Sequence, residues 1–210
     1  MNKNKMSKKL AAGVDIGGTL TKVGLVDEEG ELYAHLDFPT RGYTTVDNFI
    51  SVLASKIQHL AKQLSFAFEM MGLGIGAPNA NYYRGTIEHA SNLEWKGIIP
   101  FVSKAKAHFN MPVYMTNDAN AAAMGERIYG AAKNVNDLVM VTLGTGLGSG
   151  FVVNGELVYG HDGFAGELGH TIVEKNGRLC GCGRKGCLET YASATGIVKT
   201  AKEFLANSSD

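Results

Sequence analysis

The sequence DIGGTLTKVGLV at residues 15–26 returns in kind as VTLGTGLGSGFVV at residues 141–153. Each copy reads as an apolar strand, a glycine-rich turn and a second strand. Two copies of one supersecondary unit mark an internal duplication and predict two similar α/β lobes. Around the first copy, Leu10 to Ile16 is a buried strand, Val23 to Val26 a second, and Leu32 to Phe38 alternates as a third, joined by turns at 17–19 and 27–30. Val46, Phe49, Ile50, Leu53, Ile57, Leu60, Ala61 and Leu64 then recur at helical spacing, with Thr44 or Thr45 to cap the start. Met71 to Ala77 is a strand ending at Pro78, and Pro100 opens a helix with Phe101, Val102, Ala105 and Phe109 on one face. Pro112 to Met115 is the next strand, followed by the alanine-rich helix of NDANAAAMGE.

The pattern restarts at Asp137. Leu138 to Leu143, Phe151 to Val153, Glu156 to Val158 and Thr171 to Val173 read as strands, and a helix runs from about Leu188 to Leu205. The expected division is therefore residues 1–133, with 1–9 as a lysine-bearing leader, and residues 134–210, with the boundary in 131–136. The first lobe runs three strands, helix, strand, helix, strand, and the second supplies only its three strands and one helix. An incomplete second lobe is expected to expose a sheet edge.

The chain holds 20 basic and 20 acidic residues, a net charge of zero, which argues against a general nucleic-acid or membrane surface. No apolar run reaches membrane-spanning length. The leader MNKNKMSKK lacks the apolar segment of a secretory signal, so a reducing, cytoplasmic setting is expected.

All three cysteines fall in CGCGRKGC, as Cys180, Cys182 and Cys187, with His170 upstream in GELGH. The resulting H-x9-C-x-C-x4-C supplies the Cys3His donors of a tetrahedral zinc site. Four protein ligands close the coordination sphere, so the metal is expected to be structural. A disulfide is the competing reading, but three cysteines leave one unpaired and a Cys180–Cys182 bridge would be strained.

Gly17, Gly18 and Thr19 end the first strand with backbone N–H groups and a hydroxyl that suit an anion. Asp15 adds a carboxylate fit for a magnesium shell. Gly144, Thr145 and Gly146 repeat the turn, and the two copies are expected to grip a nucleotide's phosphates from two sides of a cleft. Neither is a P-loop, because no G-K-[ST] follows. Asn117 and Asp118 stand between a strand and a helix. They suit helix capping, and Asp118 also suits proton abstraction in phosphoryl transfer, held ionised by the helix dipole. Glu167 and Glu189 flank the cysteine loop, as sugar-hydroxyl acceptors or as ordinary surface acids. His170 can ligate metal through one nitrogen and donate to a substrate oxygen from the other.

Together DIGGT, NDANAAAMGE, GTGLGSG, GELGH and CGCGRKGCLE resemble the ROK family of repressors and sugar kinases, across residues 15–189. The resemblance implies an α/β, actin-like or ribonuclease H-like, two-lobe sugar kinase fold. It implies ATP with Mg2+, a structural Zn2+, a hexose substrate and a homodimer. In that reading Asp118 is the catalytic base, and Asn117, Glu167, His170 and Glu189 bind the sugar. Asp15, Gly17, Gly18, Thr19, Lys22, Gly144, Thr145 and Gly146 serve the nucleotide, and His170, Cys180, Cys182 and Cys187 hold zinc. The segment HASNLEWKG, with Asn92 and Trp95, is similar to the bacterial glucokinase branch, which adds Asn92 to the sugar-binding candidates. Asn79, a further candidate there, stands where the family often carries glycine. Glucose is the first expectation, ahead of N-acetylglucosamine, N-acetylmannosamine and fructose. A sugar-responsive repressor is the alternative, but the residues before the first strand are too few for a helix-turn-helix.

Overall fold

The computed structural model describes residues 7–207. The chain divides into two compact units, Met1–Ala121 and Ala122–Asp210. The division falls inside the helix Asp118–Ile128, ahead of the 133/134 step expected from the strand pattern that restarts at Asp137. Periodicity marks where a helix stops, whereas packing can divide one helix between two units.

The first unit is built on a five-stranded sheet. Strands β1 (Lys8–Ile16), β2 (Leu20–Val26) and β3 (Leu32–Pro39) form an antiparallel meander. Helix α1 (Val46–Gln63) returns the chain to β4 (Phe68–Ala77), which lies parallel to β1. A small sheet of β5 (Ala80–Asn81), β6 (Thr86–Glu88) and β7 (Ile98–Ile99) follows, then the short helix α2 (Phe101–Ala105). Strand β8 (Val113–Asn117) joins β4 in parallel and runs directly into α3 (Asp118–Ile128). The order β3-β2-β1-β4-β8 is the ribonuclease H-like arrangement.

Thr45 caps α1, its Oγ1 accepting from the Asn48 N–H at 3.2 Å. The helix buries Val46, Phe49, Ile50, Leu53, Ala54, Ile57 and Leu60 on one face. Phe49 is fully buried and is surrounded by Phe38, Tyr43, Phe101 and Trp95, the last with ring centroids 4.7 Å apart. Trp95 is thus a core residue.

The second unit holds β9 (Leu138–Leu143), β10 (Leu147–Val153) and β11 (Glu156–Leu157), an antiparallel sheet in the order β11-β10-β9. Among the described residues it also holds the larger part of α3, a 3-10 turn (Leu168–His170) and helices α4 (Glu189–Ala192) and α5 (Ala194–Asn207).

Several expectations are corrected. Lys8 and Lys9 belong to β1, so the leader is shorter than nine residues, and residues 1–6 lie outside the described residues. Thr171 to Val173 is not a strand: only Ile172 bridges to Cys187, because the cysteine loop folds back on itself. The helix opened by Pro100 ends at Ala105, leaving Phe109 buried beyond it. The terminal helix is broken at Ser193, whose extended backbone ends α4 and whose Oγ accepts from the Gly196 N–H at 3.1 Å to cap α5.

Candidate functional site

In the first unit the candidate residues gather at the C-terminal ends of the parallel strands, where open α/β sheets place their ligands. Asp15, near the end of β1, is register partner of Lys22 on β2 and of Gly76 on β4. A Cβ at Gly76 would lie 3.3 Å from Ala121 Cβ and 3.4 Å from Asp118 Cα, so the glycine eases the close packing of the first turn of α3 on the strand ends. The β1–β2 turn is closed by the Gly17 N–H donating to Leu20 O at 3.0 Å. That amide is committed to the hairpin, leaving an anion to the residues after it. Gly18 packs on Asn92: a Cβ there would sit 2.9 Å from the Asn92 carbonyl oxygen, so only glycine fits. Asn92 therefore lies against the phosphate-type turn. Asn79 has φ +51 and donates from Nδ2 to Glu88 O at 3.0 Å. Glycine and asparagine are the residues that enter this left-handed region most readily, which explains the exchange at this position.

Asn117 Oδ1 and Asp118 Oδ1 both accept from the Ala119 N–H, each at 2.9 Å. Capping is thus shared, and it does not depend on Asp118 alone. Asp118 is open to solvent as a residue, yet enough protein surrounds its carboxyl that desolvation pushes its pKa up. The Asp15 carboxylate adds to the rise, and the Ala119 N–H opposes it. The direction runs against the lowering expected from the helix dipole, because burial and a like charge outweigh it. Asp15→Asn is expected to lower the Asp118 pKa in metal-free protein, read from carboxyl-carbon NMR. An unchanged titration would assign the shift to burial alone.

In the second unit the Gly144 N–H donates to Gly146 O at 3.0 Å, repeating the pattern of a leading amide used in turn closure. Glu189 joins this turn to the cysteine loop. Its Oε2 accepts from the Leu147 N–H at 3.3 Å, and its Oε1 accepts from Cys180 Sγ at 3.1 Å and lies 3.9 Å from His170 Nδ1. Glu167 is exposed at the start of the 3-10 turn. The loop carrying it is pinned by Ser149, whose Oγ donates to Gly166 O and accepts from the Leu168 N–H at 3.1 Å.

The ligand atoms of His170, Cys180, Cys182 and Cys187 all lie within 4.8 Å of one another. The Cys182–Cys187 sulfurs are 3.7 Å apart, and Cys180 Sγ is 3.6 Å from His170 Nδ1. Tetrahedral zinc bond lengths require edges of roughly 3.8 Å between sulfurs and roughly 3.6 Å from sulfur to nitrogen. The donor set and these spacings fit zinc, which His170 would hold through Nδ1, and no disulfide joins these cysteines. Burial pushes Cys180 up to about 12. Burial also raises Cys182, but hydrogen bonds from the Arg184 N–H and guanidinium and from the other two thiols outweigh it and bring it down to about 6. Gly186, at φ +83, turns the loop where a Cβ would strike the Glu174 carbonyl. Arg178 ties the loop to the helices, donating to Thr190 O at 2.7 Å and Gly196 O at 3.2 Å.

Two neighbours of these sites were not legible in the sequence. Arg41 donates from Nε to Gly18 O at 3.0 Å, placing a guanidinium at the first turn. Ser149 fixes the Glu167 loop. Arg41 lies outside any motif, and Ser149 lies in one that reads as a phosphate turn.

The ROK family model matches residues 11–209. A glucokinase of Halalkalibacterium halodurans is 38% identical over 204 residues, which cover 94% of this chain and 61% of that protein. A xylose repressor of Bacillus subtilis is 33% identical over 195 residues, covering 90% of this chain and 49% of that protein. Among solved structures, a ROK family glucokinase from Streptomyces griseus in complex with glucose and AMPPNP superposes with a TM-score of 0.79 at 36% identity. That superposition covers 92% of this chain and 60% of the other, so this chain spans about three fifths of its glucokinase relatives. With the family's motifs present, its strand order observed and the match running nearly end to end, the chain belongs to the ROK family.

Proposed function

We propose that this chain carries the sugar-side and phosphate-side machinery of an ATP-dependent hexose kinase, with glucose as substrate. The observation that carries the reading is Asp118. It is a carboxyl held by the Ala119 N–H, open to solvent, raised in pKa by burial and Asp15, and placed where parallel strands end. A base so tuned accepts the proton of a sugar hydroxyl as that oxygen attacks the terminal phosphorus of the nucleotide. Asn117 orients the sugar beside it. From the second unit, Glu167 and Glu189 accept hydrogen bonds from sugar hydroxyls, and His170 donates from Nε2.

The two glycine turns, with Thr19, Lys22 and Thr145, hold the phosphates, and Arg41 adds positive charge. Asp15 would stand in the shell of Mg2+, which when bound neutralises phosphate charge. His170, Cys180, Cys182 and Cys187 would hold Zn2+, which shapes the loop carrying Glu189. The intact Asp118 and DIGGT turn support the kinase reading over a repressor.

The test is coupled ADP release across a hexose panel, run on this chain and on one carrying the full length of its relatives. Glucose is expected to lead. The 210-residue chain is expected to turn over more slowly, because binding energy from the remote end of ATP orients the reacting phosphate. Equal turnover would show that the 210 residues suffice. Phosphorylation of no hexose by either chain would overturn the proposed function.

A further inference from the structure

Strand β4 ends at Ala77, whose register partner on β8 is Asn117, so the residues that follow leave the sheet beside Asn117 and Asp118. They form the β5–β6 hairpin, and the sugar-binding candidate Asn79 opens it. Asn79 and His89 bracket the hairpin, and both hold left-handed backbone, at φ +51 and φ +53. A non-glycine residue keeps that conformation where its surroundings over-determine it, and such residues concentrate at functional sites. The His89 N–H is fixed by donating to Gly97 O at 2.8 Å.

At Asn79 the constraint comes from Glu88. The Glu88 N–H donates to Asn79 O at 3.0 Å, and the Glu88 carbonyl accepts from Asn79 Nδ2 at 3.0 Å. The two residues thus exchange two bonds, as a hydrogen-bonded pair in an antiparallel ladder does, with a side chain in place of one backbone N–H. The Glu88 side chain is only 10% exposed. Its carboxylate accepts from Thr86 Oγ1 at 2.6 Å and from Arg84 Nη1 at 3.2 and 3.3 Å. Arg84 lies in the hairpin turn, where its N–H donates to Oδ1 of the fully buried Asn81 at 3.1 Å. A buried carboxylate is costly unless it is paired and hydrogen-bonded. Both side chains that satisfy this one belong to the hairpin that Glu88 closes.

We propose that Glu88 is a positioning residue for the sugar end of the site, its carboxylate locking the β5–β6 hairpin so that Asn79 holds one conformation next to the strand end carrying Asn117 and Asp118. Neither Glu88 nor Arg84 touches substrate in this role. The effect on catalysis rests on the hexose-kinase reading, whereas the effect on Asn79 does not. Misplacing a substrate-positioning group by 1 Å can cost about 10²-fold, so a charge that only sets geometry has a kinetic signature. That signature is confined to the sugar, because the nucleotide is assigned to the β1–β2 turn. The hairpin itself outlasts loss of the charge: Ile87, on the other face of β6, belongs to the apolar core together with Ala80.

The test compares Glu88→Gln, Arg84→Lys, Arg84→Ala, Asn79→Gly and the double variant Glu88→Gln/Asn79→Gly. Kinetics are read in a chain of the relatives' length, and the Asn79 side-chain amide is followed by NMR in the 210-residue chain, with thermal melting to verify the fold. Glu88→Gln is expected to raise the glucose KM about tenfold, the equivalent of one well-placed hydrogen bond, and to leave the ATP KM unchanged. Arg84→Lys keeps the charge and should retain more sugar affinity than Arg84→Ala. The Asn79 amide protons should shift and exchange faster in Glu88→Gln. Once Asn79 is glycine, Glu88→Gln should cost little more, because both changes break one linkage. An unchanged glucose KM, equal rises in both KM values with a lower melting temperature, or additive losses in the double variant would each overturn the proposal. If wild type phosphorylates no hexose, the kinase reading fails by itself. The Asn79 amide then decides the positioning role, and signals identical in wild type and Glu88→Gln would overturn it.

Discussion

Asp118→Asn is expected to lower hexose phosphorylation by about 10²–10⁴-fold, the range of general-base contributions. Glucose affinity by calorimetry should stay near the wild-type value. The carbonyl oxygen of asparagine can still accept from the Ala119 N–H, and Asn117 caps the same amide. Structure at the start of α3 should therefore persist. Because burial raises the folded-state pKa of Asp118, its ionised form is disfavoured in the folded chain. The group's cost to stability is full above its folded-state pKa, fades as pH falls from there towards the unfolded-state value, and is gone below that value. The asparagine variant should consequently melt at or above the wild-type temperature at neutral pH. Its activity is to be compared in the 210-residue chain and in a chain of the relatives' length. Near-wild-type turnover would reduce Asp118 to a helix cap, and a large fall in melting temperature would show that it is structural.

Removing metal is the second change with a large expected effect. Among the described residues of the second unit, the buried apolar side chains are Ala123, Leu147, Val152, Cys180 and Cys187. Two of these five are proposed zinc ligands, so the core is thin where the metal would sit. Structural zinc supplies about 10–16 kcal/mol of apparent binding free energy in zinc-finger peptides at neutral pH, and that energy counts toward folding. Elemental analysis of the purified protein should give about one zinc per chain, the occupancy of a closed four-ligand site. Chelation, or Cys187→Ser, should abolish amide protection across residues 171–188 and weaken glucose binding. The loss of binding follows because Glu189 touches both Cys180 and the Leu147 amide. The first unit should keep its protection, since its core centres on Phe49 and α1. Zinc-free protein with an ordered loop would end this account.

The elements most legible in the sequence were those with one strong local pattern. The duplicated strand–turn–strand units, the α1 stripe and the Cys3His run each depend on residues close in sequence, and local geometry suffices to place them. The strand from 171 to 173 and the unbroken helix from 188 were misread. In both places the cysteine loop and the Ser193 cap decide the backbone, and alternation of apolar residues carries no record of either. The β5–β7 sheet was missed because its strands are only two or three residues long.

The sequence by itself determined the family and singled out the four candidate metal donors and the candidate base Asp118, because each is a matter of residue identity at short spacing. Tertiary structure alone decided what surrounds them. It desolvated the Asp118 carboxyl and, through the register of β1, β4 and β8, set Asp15 beside it, and the two together raise that carboxyl, where helix position alone argues for lowering it. It brought Arg41 to the Gly18 carbonyl and Glu189 between the second turn and Cys180. Electrostatic and hydrogen-bond environments are sums over groups distant in the chain, and only the folded backbone brings those groups within range.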